Sequence, residues 1–118
     1  MSPRSERERV EDILNNIDRI KLAESGLRDA EATGQWALAK TFLDAILYNL
    51  VVIGEATKSL TVELRERHQE VDWKAVAGMR DIVTHTYHRV LTTLVMETLD
   101  EPMKVLKMAC RNELEITE

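Results

Sequence analysis

WKAVAGMRDIVTHTYHR, residues Trp73 to Arg89, holds two of the chain's three histidines, one of its two tryptophans and one of its two tyrosines. Arg80, Asp81, Thr84, His85, Tyr87 and His88 fall within nine residues of one another. At 100° per residue they sort into two neighbouring helical stripes. Arg80, Thr84 and Tyr87 make one stripe, and Asp81, His85 and His88 make the other. Val76, Met79, Ile82, Val83 and Val90 take much of the remaining surface. A helix this apolar has to be packed, so the spacing predicts a helix from Trp73 to about His88 whose polar stripes face a cleft or an interface.

Working outward, the chain is poor in turn residues, with four Gly and two Pro in 118 residues. That predicts few, long elements, and here they are helices. Apolar residues make up 44% and charged residues 31%, enough for one domain with a true core. One cysteine, Cys110, rules out an intrachain disulfide and a cysteine-built zinc site. It reads as a small buried side chain or as a reactive thiol. The polar opening is unlike a signal peptide, and no apolar run approaches a membrane span. A cytoplasmic protein without a membrane partner is the expectation. The net charge of −5 argues against a broad nucleic-acid-coating surface. Residues 58–89, with six basic and five acidic side chains, are the least acidic segment.

In chain order, Ser5 to Leu27 shows Val10, Ile13, Leu14, Ile17 and Ile20 at helical spacing. Gly26 breaks this pattern, and 29–34 reads as a connection with Thr33 as a possible cap. Gln35 to Leu60 reads as a second helix, apolar nearly all round, which points to a central position or a second subunit. A chain this short has few ways to enclose such a helix, so a homodimer is expected. Gly54 suits the close approach of another helix. Tyr48, Asn49 and Glu55 either find partners at an edge or line a site shared with the 80–88 helix. Arg65, Arg67 and His68 are either a solvated face or a rim that meets phosphate. Asp72 can cap the helix that starts at Trp73. Leu91 to Met96 continues that helix or forms a short one. Asp100 caps the last segment, with Pro102 in its first turn and a frayed tail over 110–118. The fold class is an all-α, antiparallel bundle of four to five helices forming a single domain, 1–118.

Asp81 and His85, four residues apart, can touch on a helix. A carboxylate fixes the imidazole tautomer and suits His85 to general acid–base work. Arg80 offers planar recognition of phosphate. Tyr87 can donate to an anionic oxygen or stack on a base. Such a set fits phosphodiester cleavage in RNA, where a 2′-OH loses a proton and a crowded phosphorus gathers negative charge. Arg80 and His85 lie about 140° apart around one helix. Two such helices facing across a dimer axis can converge where one cannot. The plain alternative for His85 and His88 is a pair of surface or interface histidines. No third ligand completes a metal site with them, and no nucleotide-binding or hydrolase fingerprint is present.

The run Arg80-DIVT-His85-Thr-Tyr87 resembles the R-x4-H-x-Y motif of the HepT-like ribonuclease toxins of the HEPN superfamily. DWKAVAGMRDIVTHTYHRV resembles the block around that motif. NLVVIGEATKSL resembles an upstream block, through Asn49, Leu50, Ile53, Gly54, Glu55 and Ala56. The resemblance spans roughly Leu43 to Leu106; where the family often carries an aromatic residue this chain has Val95 and Met96. It implies a homodimeric HEPN-like bundle and a metal-independent endoribonuclease without cofactor, the toxin of a toxin–antitoxin pair. Arg80 and His85 would be catalytic, and Asp81, Thr84 and Tyr87 supporting. Arg65, Arg67, His88 and Arg89 are candidates for an RNA rim. The implied antitoxin is a small nucleotidyltransferase of the MNT class that adenylylates Tyr87. The alternative is a non-catalytic helical dimer that binds such a partner.

Overall fold

A computed structural model of the protein describes residues 4–79 and 92–116, with the helical backbone alone for 92–99. The described residues form five helices: α1 (Glu6–Ala32), α2 (Trp36–Lys58), α3 (Val62–Arg67), α4 (Trp73–Ala77) and α5 (Thr92–Ile116). No strand occurs among them, and the all-α expectation holds.

A capping box starts α1. Glu8 N–H donates to Ser5 Oγ and Ser5 N–H to Glu8 Oε1, each at 3.1 Å. The helix then buries Val10, Ile13, Ile17, Ile20, Ala23, Leu27 and Ala30, one residue per three or four. It runs past Gly26 to Ala32, five residues beyond the end expected from the sequence. A Cβ at Gly26 would lie 2.5 Å from the Phe42 ring of α2. The glycine is there for helix packing and does not end the helix. Termination falls to Thr33, whose hydroxyl donates to Asp29 O at 2.9 Å, and to Gly34 at φ 70°.

The turn returns α2 antiparallel along α1. Ile46, Leu47, Leu50 and Ile53 face inward. Opposite them, Leu38, Thr41, Ala45, Tyr48 and Glu55 are exposed and Val52 is half-buried. By length and composition α2 could cross a membrane, which corrects the expectation that no run approaches that length. Its inward stripe is packed on α1, as in the core helix of a globular domain. The second antiparallel partner of α1 is α5, with Lys107 Nζ 3.2 Å from Asp18 Oδ1 and Arg7 Nη1 donating to Leu114 O at 3.4 Å.

Two further boundaries differ from expectation. Pro102 lies inside α5, so Asp100 caps nothing. The proline is exposed, so the carbonyl it leaves without an amide partner one turn back can be hydrated, and Asp100 pairs with Lys104 at 3.1 Å. At the other end, the helix continues where a frayed tail was expected. Met103, Leu106, Ala109, Cys110 and Glu113 form a buried stripe that carries order through Ile116. The helix expected from Trp73 to His88 stops first at Ala77, with Gly78 as its cap, and Met79 is again helical.

Candidate functional site

Arg80, Asp81, Thr84, His85, Tyr87, His88 and Arg89 lie outside the described residues. What the structure shows is the frame that leads into them. Met79, the residue before Arg80, is buried, and α5 begins at Thr92.

That frame is held by polar bonds. Thr61 caps α3 by accepting from Leu64 N–H at 3.2 Å. Its own N–H and hydroxyl donate to Glu6 Oε1 at 2.8 and 2.7 Å, pinning the α2–α3 corner to the start of α1. Asp72 caps α4 as expected, accepting from Ala75 N–H at 3.0 Å. The Trp73 indole N–H donates to Arg65 O and His68 O, at 3.1 and 2.9 Å. Two carbonyls at the end of α3, which also accept the backbone N–H groups of His68 and Val71, thereby fix the ring at the head of α4.

A second anchor reaches across the chain. Arg67 donates from Nε and Nη2 to the two oxygens of Glu113, at 3.1 and 2.7 Å. His68 Nε2 lies 2.8 Å from Glu113 Oε1, and its Nδ1 lies 3.6 Å from Glu70 Oε1. His68 and Glu113 are 5% and 3% exposed, which removes His68 from any solvated face or rim. The Arg67 bonds hold the Glu113 carboxyl below the usual carboxylate range; burial opposes this and His68 assists. Beside it, burial and the Glu113 charge push the Cys110 thiol up to about 12. Cys110 is thus an inert, buried side chain rather than a reactive thiol.

The two arginines proposed for the rim part company. Arg67 is committed to Glu113. Arg65 spends one N–H on Thr61 O at 3.4 Å and lines an open groove between α3 and α4. Of Tyr48, Asn49 and Glu55 on α2, only Asn49 turns inward; Tyr48 is 66% exposed, and Glu55 is exposed with Lys58 3.7 Å away. Sequence reasoning passed over Glu113. Its signal was present in the spacing Met103, Leu106, Cys110, Glu113, which sets a carboxylate on the apolar stripe of α5.

These features define a small helical domain with a polar frame leading into the R-x4-H-x-Y block. A family model described as "Ribonuclease HepT-like" matches residues 13–112, and the chain belongs to that family. "Probable ribonuclease HepT" of Thermococcus cleftensis is 30% identical over 104 residues, covering 88% of this chain and 91% of its own. "Gamma-glutamylcyclotransferase and putative RNase" of Methanocaldococcus jannaschii is 33% identical over 102 residues, covering 86% of this chain and 46% of its own. "Putative RNase" of Caldanaerobacter subterraneus subsp. tengcongensis is 46% identical over 55 residues, 47% of this chain and 49% of its own. This chain thus spans about half the length of the last two relatives. No solved structure matches.

Proposed function

We propose that the protein is a metal-independent endoribonuclease, the toxin of a cytoplasmic toxin–antitoxin pair. The observation that carries this reading is the Arg80–His85–Tyr87 spacing in a chain of a ribonuclease family. His85, oriented by Asp81, takes the 2′-OH proton. The 2′ oxygen attacks phosphorus, the bond to the 5′ oxygen breaks, and the leaving oxygen gains a proton. Arg80 holds the phosphate and offsets the charge that builds on it. Thr84 and Tyr87 support the site.

The α2 surface supports the homodimer. Leu38, Ala45 and Val52 recur every seven residues, with Thr41, Tyr48 and Glu55 three residues after each. These six residues, three apolar and three polar, lie on the side of α2 that faces away from its buried stripe. A second copy is proposed to pack there, and the family resemblance implies that the paired motifs of such a dimer form a cleft. The antitoxin would be a nucleotidyltransferase that places AMP on Tyr87, adding bulk and negative charge where RNA phosphate must bind.

The test is cleavage of RNA by the purified protein in excess EDTA, beside Arg80→Ala and His85→Ala. Cleavage by the unsubstituted protein alone is expected. If it cleaves nothing while mass spectrometry shows an unmodified Tyr87, the catalytic reading fails and the binding-module alternative replaces it. Light scattering of Tyr48→Asp checks the dimer, with a shift to half the mass expected.

A further inference from the structure

The groove between α3 and α4 is lined by Val62, Arg65, Glu66, Gln69, Trp73, Lys74 and Ala77. It has a volume of about 680 Å³, within the range of ligand-sized clefts. Ala77, at the edge of this lining, lies three residues before Arg80 in the sequence.

Three features point to its occupant. Two cations, Arg65 and Lys74, line the groove, and neither takes part in an ion pair among the described residues. Arg67, two residues along, is instead bound to Glu113. A tryptophan lies in the same groove, half-buried, with its N–H fixed on two carbonyls. A ring held this way needs no ordering when a base stacks on it. The amide of Gln69 adds both a donor and an acceptor. Glu66 limits the charge of the groove to +1. That is too little for a duplex, which asks for a broad basic surface, and enough for one or two phosphates of a single strand.

We propose that this groove seats single-stranded RNA on its way to the R-x4-H-x-Y block, with Arg65 and Lys74 on phosphates and Trp73 under a base. The proposal rests on the ribonuclease reading above and adds the path of its substrate.

The test measures binding of a labelled single-stranded RNA to His85→Ala protein across a salt series, and then to the same protein carrying Arg65→Gln and Lys74→Gln. Each phosphate contact to a single strand contributes about 0.7 to the slope of log K against log salt. The double substitution is expected to lower that slope by about 1.4 and to weaken binding roughly 25-fold at ~0.1 M salt. Lys21→Gln with Lys104→Gln, two exposed cations elsewhere, makes the same change in net charge and is expected to leave the slope unchanged. In a Trp36→Phe background, quenching of the remaining Trp73 fluorescence by RNA reports stacking. Circular dichroism confirms that each variant is folded.

RNA binding that keeps its slope after Arg65→Gln and Lys74→Gln, with Trp73 unquenched, overturns the groove and leaves the ribonuclease standing. A protein that neither binds nor cleaves RNA overturns both. If the double substitution instead abolishes binding of a nucleotidyltransferase while RNA binding is untouched, the groove belongs to the protein partner and the proposal is wrong.

Discussion

The α1–α2 pair and the α3–α4 segment are held by different chemistry. Between α1 and α2 the contact is apolar: Ile13, Ile17, Leu27, Ile46, Leu50 and Ile53 are each 2% exposed or less. The α3–α4 segment has four buried apolar side chains, Leu64, Val71, Val76 and Met79. Its position depends on Thr61 to Glu6, Trp73 to two carbonyls, and Arg67 and His68 to Glu113. Apolar packing is non-directional and large. Polar anchoring adds little net stability but allows only one geometry, because a missed partner leaves a buried group unsatisfied. The stable half of the molecule is therefore the packed one. The half next to the motif block is held by specific bonds.

The comparison breaks most visibly at Ile46 and Glu113. Ile46→Ala, which opens a cavity in a fully buried site, is expected to cost roughly 2–5 kcal/mol while leaving the Trp73 emission of the folded protein unchanged. Glu113→Ala strips Arg67 and His68 of their shared carboxylate and is expected to cost about 2–3 kcal/mol, with a shift in Trp73 emission. Chemical denaturation followed by circular dichroism, with emission recorded before the transition, separates the two. If Glu113→Ala leaves the emission untouched, the anchor does not set the position of α4.

The same carboxylate gives a pH dependence of known sign. Its folded pKa is depressed, chiefly by the Arg67 bonds. Its contribution is complete above the ordinary carboxylate value of about 4.3 and is lost as pH falls through the lower folded value. Between about pH 5 and 2 the melting temperature of the unsubstituted protein is expected to fall more steeply than that of Glu113→Gln. Parallel curves would assign the acid sensitivity to other carboxylates.

A smaller effect tests the packed half. Gly26→Ala raises helix propensity, yet the new Cβ would meet the Phe42 ring at 2.5 Å. Overpacking is expected to win and destabilise by about 1–3 kcal/mol. Adding Phe42→Leu is expected to recover part of the loss, measured as a double-mutant cycle. A stabilised Gly26→Ala protein would mean that the ring moves aside freely.

The two halves also differ in how legible they were in the sequence. Helical spacing in α1 and α2 is a repeated signal, so element type and core residues such as Ile13 and Leu50 could be read directly. Gly26 misled because propensity is local, whereas its use depends on a ring sixteen residues away in sequence. Pro102 misled in the same way: its exposure, set by how α5 lies on α1, makes an interior proline tolerable. In the polar half the caps Thr61 and Asp72 carried local signatures, and Asp72 was readable. The pairing of Arg67 and His68 with Glu113 spans 45 residues and more and leaves no local pattern. Only the place of Glu113 on an apolar stripe hinted at it. The R-x4-H-x-Y block was legible as a motif because its residue types and spacing carry the information without coordinates.

The least disruptive test concerns a polar group inside the packed half. Thr57 on α2 is fully buried, and its Oγ1 has no hydrogen-bond partner among the described residues. If the packed half is held by apolar contact, the hydroxyl adds only a desolvation cost. Thr57→Val keeps the branched shape and removes the polar atom. The expected change lies between neutral and about 1 kcal/mol of added stability. A loss of more than about 1 kcal/mol would show that Thr57 holds a partner outside the described residues. The division between a packed half and a hydrogen-bonded half would then fail at the C-terminal end of α2, within the IGEATK sequence that precedes the motif block.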